Sequence, residues 1–272
     1  MKVAYLGPAG TYGEEAAALL APGAEGLPSL THAAAAQAAE TVEADVAVLA
    51  IENSLNGSVA ETLDILIHDS SLTIQAEAIL PIEHHLGATP GARLADIRVV
   101  YSHPHALNQC SRFIAEHLPK AQLEAALSTA DAVRVALAKG AGVAAIANRR
   151  AISLYGAEIL APDIQDAANN VTRFVLLGRG RPAPTGRDRT SIAFWFAEDR
   201  PGVLAGVFAE FANRGISCMK IESRPTKEVF GEYVFLLDFD GHQDAPAGAE
   251  VLAAIAPLCS TVKVFGSYPR AT

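Results

Sequence analysis

Between Arg179 and Arg189 the chain reads RGRPAPTGRDR, a run of proline, glycine and charge with no apolar periodicity. Such a segment has neither a helix stripe nor a strand face to bury, so the chain must fold as two parts joined there. A length of 272 residues fits one large or two modest domains. We place the boundary near Asp188, giving parts at 1–180 and 188–272.

Before the linker, short apolar runs bounded by turn residues alternate with alanine-rich stretches of helical character. KVAYLG (2–7), DVAVLAI (45–51), RVVYS (98–102) and VAAIAN (143–148) read as strands, and 105–118 and 129–139 as helices. That alternation predicts an α/β fold with a mostly parallel sheet flanked by helices. The run TIQAEAILPIEHHLGAT (73–89) is too long for one strand and is interrupted by Pro81. A crossover between two lobes near residue 80, with a return near Ala161-Pro162, accounts for it and predicts a cleft between them. After the linker the order changes. TSIAFWFA (190–197), a helical PGVLAGVFAEFANRG (201–215), SCMKIESR (217–224), EYVFLLDFDG (232–241), a helix near 247–256 and TVKVFGSY (261–268) spell βαββαβ, a ferredoxin-like unit.

The formal net charge is −9, which argues against nucleic acid as a partner, since that calls for a basic face. An anionic ligand would have to be held by a few placed donors inside an acidic shell. No apolar run approaches the roughly 18–20 residues needed to span a bilayer. The opening MKVAYLGPAGTYGEEAA reads as strand and turn rather than as a secretory signal, so a cytoplasmic location is expected. Cys110, Cys218 and Cys259 are odd in number and widely spaced, which fits free thiols rather than a disulfide or metal framework.

Three polar segments stand where strands end and a fourth where one begins. GPAGTY (7–12) brings backbone amides and Thr11 to a position where they could donate to an anion, although an ordinary strand-to-helix turn has the same residues. IENSLNGSV (51–59) turns polar at Glu52, Asn53 and Ser54 as it leaves an apolar strand, the place where α/β folds bind ligands. SHPHALNQC (102–110) repeats the arrangement with Ser102 at a strand end and Gln109 two helical turns on. His84, His85, His103 and His105 show no zinc-type spacing, and no metal is expected. NNVTRFVLLG (169–178) crowds Asn169, Asn170, Thr172 and Arg173 at the entry to a strand; an arginine there can grip a carboxylate with two parallel hydrogen bonds or simply be solvated.

In this order, and followed by DRPGVLA (199–205) and KIESRP (220–225), the motifs resemble the prephenate dehydratase family with its C-terminal ACT regulatory domain. The resemblance covers about 2–178 for the catalytic part and 190–240 for the ACT part. It implies a catalytic domain built like a type II, two-lobed periplasmic binding protein. Among catalytic residues it points first to Thr172, then to Glu52, Asn53, Ser102 and Gln109. Arg173 becomes the expected carboxylate anchor, with Thr11, Ser54 and Asn170 as further substrate contacts.

Aromatisation of prephenate to phenylpyruvate provides its own driving force, so no cofactor is expected. A threonine hydroxyl is too weak an acid to be the ultimate proton source at neutral pH. Thr172 would orient the departing hydroxyl or relay a proton from Glu52 or water, with Glu52 either an acid or a positioning group. Asn53, Ser102 and Gln109 read as orienting donors. The resemblance further implies L-phenylalanine bound at an ACT interface of a homodimer or homotetramer. The residues expected to hold it are Gly202, Val203, Leu204, Ala205, Ser217, Glu222, Ser223, Arg224 and Pro225. Ser217-Cys218-Met219 departs from the family's usual Asn-apolar-Thr, which bears on how the amino group is held. Arogenate dehydratase, which shares all these motifs, is the alternative, and a non-catalytic amino-acid sensor or solute-binding protein is a more distant one.

Overall fold

The computed structural model describes residues 1–196, 198, 200–227 and 231–271. Ala197, the last residue of the strand expected at 190–197, and Asp199, the first of DRPGVLA, lie outside the described residues. In chain order the elements begin β1 (Lys2–Leu6), α1 (Tyr12–Leu20), β2 (Glu25–Ser29), α2 (His32–Glu40), β3 (Val46–Asn53), β4 (Gly57–Ser58) and α3 (Ala60–Asp64), which runs into a π-helical turn, Ile65–Asp69. Next come β5 (Thr73–Pro81), β6 (His85–Ala88), β7 (Val99–Ser102), α4 (Pro104–Gln109), α5 (Ser111–His117), β8 (Gln122–Ala125), α6 (Thr129–Lys139), β9 (Val143–Ala147), α7 (Arg149–Tyr155), β10 (Glu158–Ala161) and β11 (Val171–Gly178). The chain closes with β12 (Asp188–Trp195), α8 (Val203–Asn213), β13 (Cys218–Pro225), β14 (Tyr233–Asp240), α9 (Pro246–Ile255) and β15 (Thr261–Pro269).

Helix starts follow local chemistry. Thr11, Thr31, Ser128 and Asn148 each accept a hydrogen bond from a backbone N–H in the first turn of α1, α2, α6 and α7. The helix expected at 105–118 is broken at Cys110. Asp166 explains the break, because its carboxylate accepts from Ser111 Oγ at 2.8 Å and from the Arg112 N–H at 3.1 Å. A second N-terminus is thereby capped from outside the helix.

Strands pair into three sheets, ordered β2-β1-β3-β11-β5 with β4 on β3, then β10-β6-β9-β7-β8, then β13-β14-β12-β15. Pairing is parallel for β1 with β2 and β3, and for β7 with β8 and β9, whereas β6 runs antiparallel to both its neighbours. The mostly parallel expectation thus holds at the centre of each lobe and fails where the crossover strand β6 inserts. The chain leaves the first sheet after β5 and returns to it at β11.

Two compact units emerge: Met1–Thr62 with Ala78–Phe174, and Leu63–Glu77 with Val175–Thr272. The first contains both lobes. Small residues bring helices close to its sheets, as with Ala35, Ala39, Ala130, Ala132 and Ala136, all fully buried. In the second unit α8 and α9 cover one face of the four-stranded sheet over Ile192, Phe194, Val207, Phe211, Leu237, Phe239, Val251 and Ile255.

Residues 63–77, which sequence reading assigns to the catalytic part, belong to this second unit. Lys263 Nζ donates to the Ile67 and Ser70 carbonyls, both at 3.1 Å, and satisfies the end of the π-helical turn. Arg189 lies 3.4 Å from Glu77 and 3.5 Å from Asp238. A Cβ on Gly266 would stand 2.4 Å from the Ile74 carbonyl oxygen, closer than any real contact. Gly266→Ala is therefore expected to destabilise the second unit by about 1–3 kcal/mol, the usual effect of overpacking, read as a lower urea midpoint with an unchanged slope.

Candidate active site

β3 ends on Glu52 and Asn53, and the chain turns at once. Asn53 Oδ1 accepts the backbone N–H groups of Leu55 and Asn56, both at 3.0 Å, closing a side-chain-mediated turn. Its Nδ2 then faces β11, donating to Asn170 Oδ1 at 2.7 Å, Thr172 Oγ1 at 2.9 Å and the Val171 carbonyl at 3.1 Å. Ser54 adds a second stitch, with its N–H on the Val171 carbonyl at 2.9 Å and its Oγ accepting the Val171 N–H at 3.0 Å. Residues more than a hundred apart in sequence thus form one polar cluster. Because Thr172 Oγ accepts from Asn53, its own proton is available to another acceptor.

Arg173 follows on β11, and its Nη2 lies 3.0 Å from Glu52 Oε2. The arginine side chain is 6% exposed and the glutamate 36%. The guanidinium expected as the carboxylate anchor is thus buried and engaged with Glu52.

Gln109 ends α4, where the Asp166 N–H donates to its carbonyl at 2.6 Å. Its Oε1 lies 3.2 Å from Asn170 Nδ2 and 2.8 Å from His84 Nε2, which joins it to the Asn53 cluster. Ser102 is not part of that cluster. It is fully buried and donates to the Ile146 carbonyl at 2.6 Å, so its hydroxyl straps β7 to β9 instead of facing a ligand.

Thr11 is also corrected. It caps α1 and donates to the Leu6 carbonyl at 2.9 Å, so its proton is not available to a bound anion. The neighbouring Gly10 N–H is taken by Glu14 Oε2 at 2.6 Å, and Glu14 is held below the usual carboxylate range by its hydrogen bond to Arg150. GPAGTY is thus closed on its own chain.

Sequence reasoning considered His84 only as a metal ligand and passed over Asp166. The signal for His84 was its place beside Pro81 at the crossover, but its partner lies 25 residues on. Among the described residues Glu83, His85 and Asp163 form a cluster of potential metal ligands. His85 Nδ1 already accepts the Asp163 N–H at 3.0 Å, so that lone pair is used. An open groove of about 450 Å³ lies between the ends of β7 and β8, the start of α4 and α6, another of about 620 Å³ lies along α4, α5 and β8, and no residue of the Thr172 cluster lines either.

In the second unit Gly202 adopts a left-handed conformation (φ 91°) ahead of α8, and Val203, Leu204 and Ala205 form the first turn. Ser217 precedes β13, the edge strand that carries Glu222, Ser223, Arg224 and Pro225. Strand alternation divides this segment. Ser223 pairs opposite Phe235 of the helix-covered core, whereas Glu222 and Arg224 project to the other face. There Arg224 Nη2 meets Asp64 Oδ1 at 2.9 Å, and Lys227 meets the other oxygen at 2.7 Å. Glu222, Ser223 and Arg224, all expected to hold L-phenylalanine, are thus divided between two faces.

Two lobes joined by paired crossovers, with a polar cluster at strand ends, and a separate βαββαβ unit define a two-lobed α/β protein with a ferredoxin-like C-terminal domain. The family model for prephenate dehydratase matches residues 3–182, and that for the ACT domain matches 190–257. A curated prephenate dehydratase from Mycolicibacterium vanbaalenii is 40% identical over 98% of this chain and 90% of its own length. A solved prephenate dehydratase from Arthrobacter aurescens, in complex with L-Phe, superposes with a TM-score of 0.91 at 36% identity over 99% of this chain and 90% of that one. A further solved structure, GqqA, described as a novel type of quorum-quenching acylase, gives a TM-score of 0.90 at 31% identity over 100% of this chain and 98% of that one. The chain belongs to the prephenate dehydratase family, whose members are lyases.

Asn53→Asp keeps the oxygen that closes the turn but replaces the donor facing β11. It is expected to cost about 1–3 kcal/mol, measured by urea denaturation, because Asn170 and Val171 are left facing an unpaired acceptor. His32 and His84 are both buried, and burial pushes both pKa values down. As pH falls through about 6.5 the unfolded chain takes up protons that the native chain does not, so stability should fall with pH there. The expected slope is up to about 1.4 kcal/mol per pH unit for each histidine. A flat profile between pH 7 and 5 would show that neither is held neutral.

Proposed function

We propose that the protein converts prephenate to phenylpyruvate, and that the Thr172 hydroxyl assists the departing ring hydroxyl. The observation behind this reading is the Asn53-to-Thr172 hydrogen bond, in which the threonine oxygen is the acceptor and its own proton remains to be donated. In the reaction the ring C–OH bond and the bond to the ring carboxylate both break. The electron pair of the latter completes the aromatic ring, carbon dioxide leaves, and the hydroxyl takes up one proton to leave as water. Thr172 supplies the hydrogen bond to that oxygen while water supplies the proton, because Glu52 is engaged with Arg173. Arg173 serves as the counter-ion that holds Glu52 in place, and Asn53 and Asn170 orient the donors. Preorganised donors of this kind act where charge develops in the transition state.

An acylase reading, suggested by the GqqA likeness, would need an activated nucleophile beside a base. Among the described residues the hydrogen-bond partner of Thr172 is an amide, which supports the lyase.

L-phenylalanine is the proposed inhibitor of a cytoplasmic homodimer or homotetramer, bound by the C-terminal domain through Gly202, Val203, Leu204, Ala205, Ser217, Glu222, Ser223, Arg224 and Pro225. The L-Phe complex of the Arthrobacter aurescens relative supports this ligand. Free Cys110, Cys218 and Cys259 agree with a reducing compartment. Among the described residues no helix is long and apolar enough to cross a membrane.

The test is phenylpyruvate formation from prephenate by the purified chain, with arogenate alongside and phenylalanine added. Turnover that falls with phenylalanine is expected. Thr172→Val should lower kcat by about 10²–10³-fold, with Thr172→Ser retaining most of it. Turnover of arogenate alone would keep the mechanism and change the substrate. Hydrolysis of an acyl amide with no phenylpyruvate formed would overturn the reading.

A further inference from the structure

We propose that His84 is a positioning residue that fixes the Gln109 side-chain amide, with its oxygen inward and its two N–H donors turned to the substrate. The inference rests on the reading of this cluster as the prephenate site, but the orientation itself follows from the hydrogen bonds.

The argument starts from groups whose roles admit no choice. Backbone N–H groups only donate, so the Asn53 atom facing Leu55 and Asn56 must be Oδ1. A backbone carbonyl only accepts, so the atom facing Val171 O must be Nδ2. Asn53 is therefore locked at both ends. Its donor reaches Asn170, which must present oxygen and so turns its own NH₂ to Gln109. Gln109 must in turn present Oε1, and the ring nitrogen on the far side of that oxygen must donate to it. His84 is thereby assigned the tautomer with hydrogen on Nε2.

Three further observations agree. His84 is 3% exposed, and its Nδ1 is buried without a partner. A bare acceptor is the less costly orphan, since unpaired buried N–H groups are rarer than under-satisfied acceptors. Burial lowers the His84 pKa, which favours the neutral ring. One segment also holds both residues: Gln165 Oε1 accepts the His84 N–H at 2.9 Å, the Ile164 N–H donates to the His84 carbonyl at 2.8 Å, and the Asp166 N–H donates to the Gln109 carbonyl at 2.6 Å. With Oε1 committed twice, the Gln109 NH₂ is the end left to meet a carboxylate or hydroxyl. In a chain of net charge −9 whose nearest arginine is engaged with Glu52, neutral amide donors are the chemistry that suits a dianion.

The test uses the full chain in three arms. Histidine labelled with ¹⁵N, assigned by the signal lost in His84→Gln, should show the proton of His84 on Nε2; a proton on Nδ1 overturns the proposal, and this result does not depend on activity. His84→Leu should lower kcat on prephenate by roughly 10²-fold, the scale of a misplaced catalytic group, with little change in the unfolding midpoint. His84→Gln, which restores a donor, should recover most of it. In a Gln109→Ala background His84→Leu should cost nothing more, because residues acting through one another are non-additive. Additive losses would mean that His84 supports only the fold. Absence of prephenate turnover in the unaltered protein would refute the activity, while the tautomer would still decide the orientation.

Discussion

The arrangement of this site depends on two hydrogen bonds from the backbone of Leu55 and Asn56 to a single side-chain oxygen. They remove the usual ambiguity of an asparagine amide and make Asn53 Nδ2 a fixed donor. Thr172, Asn170 and Gln109 each take their direction from that choice, outward from a turn of four residues. A short turn can be this decisive because the polar groups it faces are largely buried, with Thr172 at 8% exposure and Asn170 at 2%. A reversed donor there would face another donor or bare acceptors in a low-dielectric setting.

Charge is handled in the same economical way. Arg173 sits on the strand next to Thr172, yet its guanidinium is spent on Glu52. Burying such a pair is rarely a net source of stability, but separating it is costly, so it holds Glu52 in a defined place. In the proposed function, recognition of a dianionic substrate is accordingly assigned to amide and hydroxyl donors and not to an exposed arginine.

The second unit shows that a domain boundary drawn at a linker need not be a boundary of packing. Residues 63–77 precede the linker by a hundred positions, yet they cluster with the C-terminal sheet. Asp64 binds Arg224 and Lys227, Glu77 meets Arg189, and Gly266 exists so that β15 can approach Ile74. Arg224 is consequently both a motif residue of the regulatory domain and a structural tie within its own unit.

Much of this protein was legible from sequence because strand and helix periods, N-caps and turn residues act over a few positions. The α/β alternation, the βαββαβ order, the crossovers, helix 129–139 and the four polar segments at strand termini were all readable in that way. Three features were not. Ser102 and Thr11 looked like donors to a ligand because a strand end or a glycine turn predicts exposure, and only packing revealed that Ile146 and Leu6 already take their protons. The break at Cys110 required Asp166, which lies more than fifty residues away. Composition and motif alone determined the architecture and the family. Tertiary structure decided which donor meets which acceptor, because Asn53 and Asn170 are 117 residues apart and only chain closure brings them within hydrogen-bond reach.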